Sequence, residues 1–326
     1  MSPREVRCAC GAINDVSFGT CIRCGESLDP RVPRKARPAQ QRVTGAPSPR
    51  SYRIAAVLLG GLCAFVFALQ TMWALQHGGG LKLMSSSGSI ADNLRAGVLI
   101  PNWAWVSAQP YRLLSNMFAH FGLVHFGLNM FGFVSLAKTS EAVVGASRTV
   151  MTFVLTGLVG SLATVAWHEL AGTAAGPSAG ASGGILGVMG LLLGILIRRR
   201  DPAWKNLALN TLFYAVLLGF AVNSMNAGVL INNAAHIGGL LSGVVLGLFW
   251  YRTGAVDSLV SKIVAGVLYA ACLASVALAL TSNGKLVTKS AASEPLRPDH
   301  VASHRDAHEE RQADHVVGDA AAAVGK

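Results

Sequence analysis

The sequence is short of charge, and above all of acid. Only 13% of its 326 residues are charged, and 16 acidic residues stand against 27 basic ones. The long apolar runs hold no acid at all, because Glu141, Glu169, Asp201 and Asp257 fall at their ends. That leaves no ion-pairing carboxylate for a transporter pathway and none for a Ser-His-Asp triad. The first 50 residues lack any apolar run, so no cleavable leader is expected. His168-Glu169 lacks a second histidine three residues on, which excludes a metalloprotease helix.

What remains is 52% hydrophobic, with a mean hydropathy of +0.46. That is too apolar for an ordinary soluble domain and fits an all-α polytopic membrane protein. The net charge of +11 is then a matter of topology and predicts no nucleic-acid partner. Arg31, Arg34, Lys35, Arg37, Arg42, Arg50 and Arg53 precede the first apolar run with no acid among them, as expected of a cytoplasmic flank.

Four of the six cysteines lie in residues 1–28, as the close pairs Cys8/Cys10 and Cys21/Cys24, with Gly11 and Gly25 following. Two thiolate pairs about a dozen residues apart can offer zinc four tetrahedral ligands, and so short a segment has no core without a metal. A small structural zinc ribbon is expected. Residues 29–53, with five prolines and many arginines, read as a semi-extended linker able to touch anionic headgroups.

Apolar runs predict seven spans, near 54–75, 113–137, 143–167, 182–197, 206–224, 231–251 and 259–281. Basic residues flank the alternate connections: Lys138 and Arg148, then Arg198 to Arg200 and Lys205, then Arg252 and Lys262. The intervening stretches 171–180 and 225–230 hold neither Lys nor Arg. The pattern puts the N-terminus in the cytoplasm, in a bacterial inner membrane. The long 76–112 connection, with Trp103, Trp105 and Tyr111, suits the headgroup layer. Residues 54–251 form a six-span core, 252–281 a seventh span and 282–326 a polar tail. In that tail His300, His304 and His308 read as an exposed helical face rather than a metal site.

One hydroxyl stands out. Ser182 lies among Gly176, Gly180, Gly183, Gly184 and Gly187, at the head of an apolar run that ends at Arg198. Roughly 24 Å of helix separates it from that basic stop, less than the roughly 30 Å of hydrocarbon, so the serine is recessed below the outer surface. Its glycine-rich lead-in must then enter the membrane as covered, non-helical backbone beside a wet pocket. His236 lies at the same distance from its own basic stop, Arg252. Gly239, Gly243 and Gly247 on its helix, and Gly183 and Gly187 on the serine's, allow the two backbones to approach closely. Brought together, the imidazole takes the serine's proton, giving a catalytic dyad. His125 and Asn129 share a helix face and can aim donors at one point, joining the Ser182 amide in an oxyanion hole. His120, turned away, is expected to hold a loop.

Together, Gly180-Ala181-Ser182-Gly183, Ala235-His236 with Gly239 and Gly243, Tyr111-Arg112, and His120, His125, Asn129 resemble the rhomboid intramembrane serine proteases. The resemblance implies Ser182 as nucleophile, His236 as general base, and His125, Asn129 and the Ser182 amide as oxyanion hole. It implies that Arg112 and residues 76–112 form a membrane-embedded first loop, and that a mobile cap lies near Ser224 to Leu230, including Met225. A seventh span after the six-span core is a variation of that family. Leu186 stands where many members carry an aromatic that packs on the catalytic imidazole.

The expected activity is hydrolysis of a peptide bond in or near a transmembrane segment of another membrane protein, with no cofactor for the bond cleavage. Substrate helices must unwind locally, which favours small or helix-breaking residues. The rival reading is a non-catalytic adaptor that binds transmembrane helices, for which intact Ser182 and His236 have no use. A soluble nucleophile elbow needs a preceding strand that the sequence lacks.

Overall fold

A computed structural model describes residues 5–7, 13–15, 17, 19–20, 27–29, 54–78, 89–172, 176–213, 232–251 and 257–282. The chain divides into two units, Met1–Ala46 and Pro47–Lys326. In the first, strands β1 (Glu5–Arg7) and β2 (Ile13–Asp15) pair antiparallel, Arg7 opposite Ile13, and Thr20 bridges Ser27. Cys8, Cys10, Cys21 and Cys24 lie outside the described residues, as do residues 30–53, the 224–230 connection and the tail from 283 on.

The second unit is helical. Its elements are α1 (Ile54–Gln76), α2 (Ile90–Ala96), α3 (Trp103–Ala108), α4 (Arg112–Ser115), α5 (Gly122–Val144), α6 (Ala146–Ala171) and α7 (Ser182–Arg198). A helix over 204–213, here α8, is followed by α9 (Asn233–Trp250) and α10 (Leu259–Thr281). Among the described residues α1, α6, α9 and α10 are long and apolar enough to cross a membrane, and α7 is a shorter apolar helix. The unit is that of an integral membrane protein, and its exposed Phe131, Leu170, Phe249 and Leu259 need lipid, not water, as their neighbour.

The helix of His125 starts nine residues later than the apolar run near 113–137 suggests. Gln70 of α1 explains why: its amide accepts from the His120 N–H at 3.0 Å and donates to the His120 carbonyl at 3.3 Å. With those backbone groups satisfied by a side chain, the chain need not be helical there, and Gly122 at φ +82° starts a separate helix. Residues 112–115 form only the short α4. Likewise Gly145, at φ +91°, separates α5 from α6.

Helix α7 is the centre of the unit, buried along most of its length from Ser182 to Ile195. Against it α9 buries only Gly239, Gly243 and Gly247. A Cβ on any of the three would strike the carbonyl oxygen of Gly183, Gly187 or Leu191, respectively. Gly190 and Gly194 of α7 return the fit against the Leu240 and Val244 carbonyls. This seam removes side chains from between the helices, so packing rather than hydrophobicity holds them. On the other side α6 turns Thr152, Thr156 and Thr164 into its own backbone, each hydroxyl donating to the carbonyl four residues back, so polar side chains pack without orphaned groups.

The 89–121 connection is a folded element. Ser89 and Asp92 form a reciprocal capping box on α2, and Gly97 ends the helix in the left-handed conformation. Arg112, 1% exposed, donates to Gln109 Oε1 at 2.6 Å and to the carbonyls of Leu94 and Val98 at 2.8 and 3.0 Å. One buried guanidinium thus gathers the loop's carbonyls. Helix α10 reaches the same loop, its Ala279 lying against Gly97, and Tyr269 donates to the Leu58 carbonyl of α1 at 3.1 Å.

Candidate active site

Residues 176–181 are non-helical: Gly176 and Pro177 are exposed, and protein covers the chain progressively from Ser178 to the buried Ala181. Leu99 and Ser178 exchange backbone hydrogen bonds at 2.9 and 2.8 Å, and the Gly180 N–H donates to the Asn116 carbonyl at 2.9 Å. The loop held by Arg112 thereby fixes the approach to Ser182. Ser182 begins α7, so its backbone N–H has no intrahelical acceptor and sits at the positive end of the helix dipole.

The Ser182 hydroxyl lies 2.7 Å from His236 Nε2, with Ser182 7% exposed. A hydroxyl donating to a neutral imidazole nitrogen in such a setting can lose its proton as it attacks. The first turn of α9 is pinched just before the histidine: the Ala235 carbonyl is so placed that a Cβ on Gly160 of α6 would lie 2.7 Å from it, and one on Gly183 of α7 3.4 Å.

His125 comes to the same place from α5. A Cβ on Gly180, which has φ +127°, would lie 2.9 Å from His125 Nε2 and 3.9 Å from Ser182 Oγ. The Phe121 N–H donates to His125 Nδ1 at 3.3 Å. In the neutral ring that puts the proton on Nε2, the nitrogen that lies against Gly180. Asn129 is fully buried, and its amide donates to the His125 carbonyl at 2.8 Å, bracing that turn of α5. His120 is held in its loop, its Nδ1 3.2 Å from the Phe118 carbonyl. Gly183, Gly239 and Gly243 belong to the α7–α9 seam, and Leu186, one turn past Ser182, is buried. The zinc-ligand candidates, the cap near Met225 and the tail histidines apart, the singled-out residues are thus described; Ser182 and His236 are paired, and His125 comes close across Gly180.

Ser182 helps to line a small pocket of mixed character, whose other polar side chains are Asn116, Ser161, Ser178 and Asn232, with room for a water molecule. Reasoning from sequence gave these four no role. For Asn232 the signal was present: an Asn three residues before Ala235, at the start of an apolar helical run, is an N-cap.

These features define an integral membrane protein whose helices bring a serine and a histidine into hydrogen-bond contact, with a second histidine close by. Residues 107–253 match the family model described as Rhomboid domain. It is similar to the Rhomboid protease GluP of Bacillus subtilis (strain 168), 28% identical over 157 residues, covering 47% of this chain and 28% of that protein. It is also similar to two Arabidopsis thaliana proteins. RHOMBOID-like protein 6, mitochondrial, is 30% identical over 140 residues, 43% of each chain. RHOMBOID-like protein 5 is 29% identical over 172 residues, 48% of this chain and 52% of that one. The match thus spans about half or less of these relatives.

Proposed function

We propose that the protein is an intramembrane serine endopeptidase that cuts a peptide bond in or near a transmembrane segment of another membrane protein. The 2.7 Å contact between Ser182 Oγ and His236 Nε2 carries this reading. Ser182 Oγ attacks the scissile carbonyl while its proton passes to His236 Nε2. The oxyanion is met by the Ser182 N–H and by the Nε2–H of His125, whose turn Asn129 braces. His236 then protonates the leaving amine, and an acyl-enzyme remains. Water from the pocket, deprotonated by His236, hydrolyses it and restores Ser182. None of these steps calls for a cofactor. The description of one relative as a rhomboid protease supports the reading.

Substrate entry from the lipid, a cytoplasmic N-terminus and a bacterial inner membrane complete the proposal on the basic flanks of the spans. At the N-terminus a zinc ion held by Cys8, Cys10, Cys21 and Cys24 would order a ribbon. Its support is that the described residues flanking each cysteine pair are themselves paired, Arg7 with Ile13 and Thr20 with Ser27. Metal analysis of the purified full chain, with and without Cys21→Ser, tests this: about one zinc per wild-type chain and none in the variant is expected.

Cleavage of a single-span model substrate in liposomes tests the activity. The wild type is expected to cut, and folded Ser182→Ala and His236→Ala are not. Binding of such substrates by the wild type without cleavage of any of them would replace the protease reading with that of a membrane adaptor.

A further inference from the structure

Asn232 joins three separate elements immediately before the histidine. Its Oδ1 accepts from the Ala235 N–H at 3.0 Å, capping α9. Its Nδ2 donates to Thr164 Oγ1 on α6 and to Ser178 Oγ on the lead-in, both at 2.7 Å. The Thr164 hydroxyl spends its own proton on the Gly160 carbonyl at 2.9 Å, so its oxygen is held as an acceptor for Asn232. Ser178 is four residues from Ser182 and is paired through its backbone to Leu99, and Asn232 is four residues from His236. The side chain therefore ties the segment that carries the nucleophile to the helix that carries the base.

The cap and the tether use different atoms. A plain N-cap needs only the side-chain oxygen, and serine serves as well as asparagine. Only the amide NH2 reaches α6 and the lead-in. The glycine seam sets how close α7 and α9 lie, but smooth glycine surfaces leave sliding and rotation about the helix axis weakly opposed. A directional pair of hydrogen bonds at the entry to α9 opposes both. Asn232 also lines the pocket that Ser182 helps to line, so its amide is satisfied by protein rather than left to compete for the pocket's water.

We propose that Asn232 is a positioning residue for the Ser182–His236 pair: its amide fixes the register of α9 against the serine lead-in through Ser178 and Thr164. The inference rests on the protease reading and deepens it.

The experiment uses the full chain in liposomes with Asn232→Ser, which keeps the cap and loses the tether, and with Ser178→Ala and the double variant. Three quantities are read: kcat and KM on the model substrate, the rate at which a fluorophosphonate labels Ser182, and the thermal midpoint. Asn232→Ser is expected to lower kcat and the labelling rate together by about 10- to 100-fold, with KM nearly unchanged, because misplacement of a reacting pair acts on the chemical step. Ser178→Ala should lower both to a smaller degree. The double variant should be no worse than Asn232→Ser alone, since both remove one tether. If folded Asn232→Ser is labelled and turns over like the wild type, or only its thermal midpoint falls, Asn232 is structural and the inference is overturned. Should Asn232→Ser fail to fold, Ser178→Ala and Thr164→Val decide: wild-type labelling rates in both overturn it. Absence of Ser182 labelling in the wild type would instead sink the dyad reading itself, and the inference with it.

Discussion

Gly239 of α9 lies so close over Gly183 of α7 that a Cβ on it would collide with the Gly183 carbonyl oxygen. Gly183 follows Ser182, and Gly239 is three residues beyond His236, so the contact braces the 2.7 Å hydrogen bond between them. The obstacle is backbone on a buried helix and cannot swing aside. Gly239→Ala must therefore push α9 outward. We expect about a 100-fold loss of kcat and destabilisation of about 1–3 kcal/mol. Gly61→Ala, where nothing lies within 4 Å, should change neither. Proteoliposome cleavage and thermal unfolding of both variants measure the contrast, and equal behaviour would remove the seam from the account.

The seam was legible because four-residue glycine spacing has one strong physical meaning between apolar helices. So was the pairing of Ser182 with His236, each sixteen residues before a basic stop. The start of α5 was not. The run 113–137 is apolar enough to read as one span, and what keeps the chain non-helical just before Gly122 is a single side chain 50 residues upstream, Gln70, that takes both backbone groups of His120. Periodicity cannot report a tertiary hydrogen bond. The Asn116, Ser161, Ser178 and Asn232 pocket escaped for the same reason: four ordinary polar residues on four segments become a site only when the fold gathers them. Asn129 shows the reverse. Its i, i+4 relation to His125 was correctly read as a shared face, yet the amide serves the His125 carbonyl of its own helix.

Glu141 ends an apolar helix and reads from sequence as a span-end acid. In the fold it is 2% exposed and caps a different helix, accepting from the N–H groups of Ile54, Ala55 and Ala56 at 3.0, 3.0 and 3.3 Å. A carboxylate at the start of α1 satisfies donors that no intrahelical partner can reach. Glu141→Ala should cost about 1–3 kcal/mol by leaving them unpaired. Because Glu141 lies sixteen residues along α5 from His125, kcat of the folded variant should stay at the wild-type value. A variant as stable as the wild type in thermal unfolding would show that water replaces the carboxylate.

Asp92, on α2 outside the spans, gives the loop an acid limit. Burial pushes its carboxyl up, but the Ser89 hydroxyl, the His77 ring at 3.1 Å and the Ser89 N–H together outweigh it and hold it below the ordinary 3.8. A carboxylate with a depressed folded value stabilises fully above its unfolded value and loses that contribution as pH falls through the folded one. The capping box should therefore hold down to about pH 4 and fail below it. Hydrogen exchange of the α2 amides should accelerate in that window in the wild type, while in Asp92→Asn it should already be fast at neutral pH and show no such step. A wild-type profile flat from pH 6 to 3 would count against the box.

Gly180 faces His125 across the point where the oxyanion would form. At φ +127° the backbone suits glycine, and a Cβ there would lie 2.8 Å from His125 Cε1 and 2.9 Å from Nε2. Gly180→Ala carries two costs: a strained backbone of about 1–3 kcal/mol, and displacement of the ring whose Nε2–H would meet the oxyanion in the proposed mechanism. Loss of one such donor lowers kcat by about 100- to 1000-fold, and KM should move far less because the ground-state carbonyl depends little on it. If the alanine acts through His125, then His125→Ala should give a similar loss, and the double variant should be little worse than either single one. Independent, multiplying losses would mean that Gly180 is required for the shape of the lead-in alone, and that His125 makes its contribution without it.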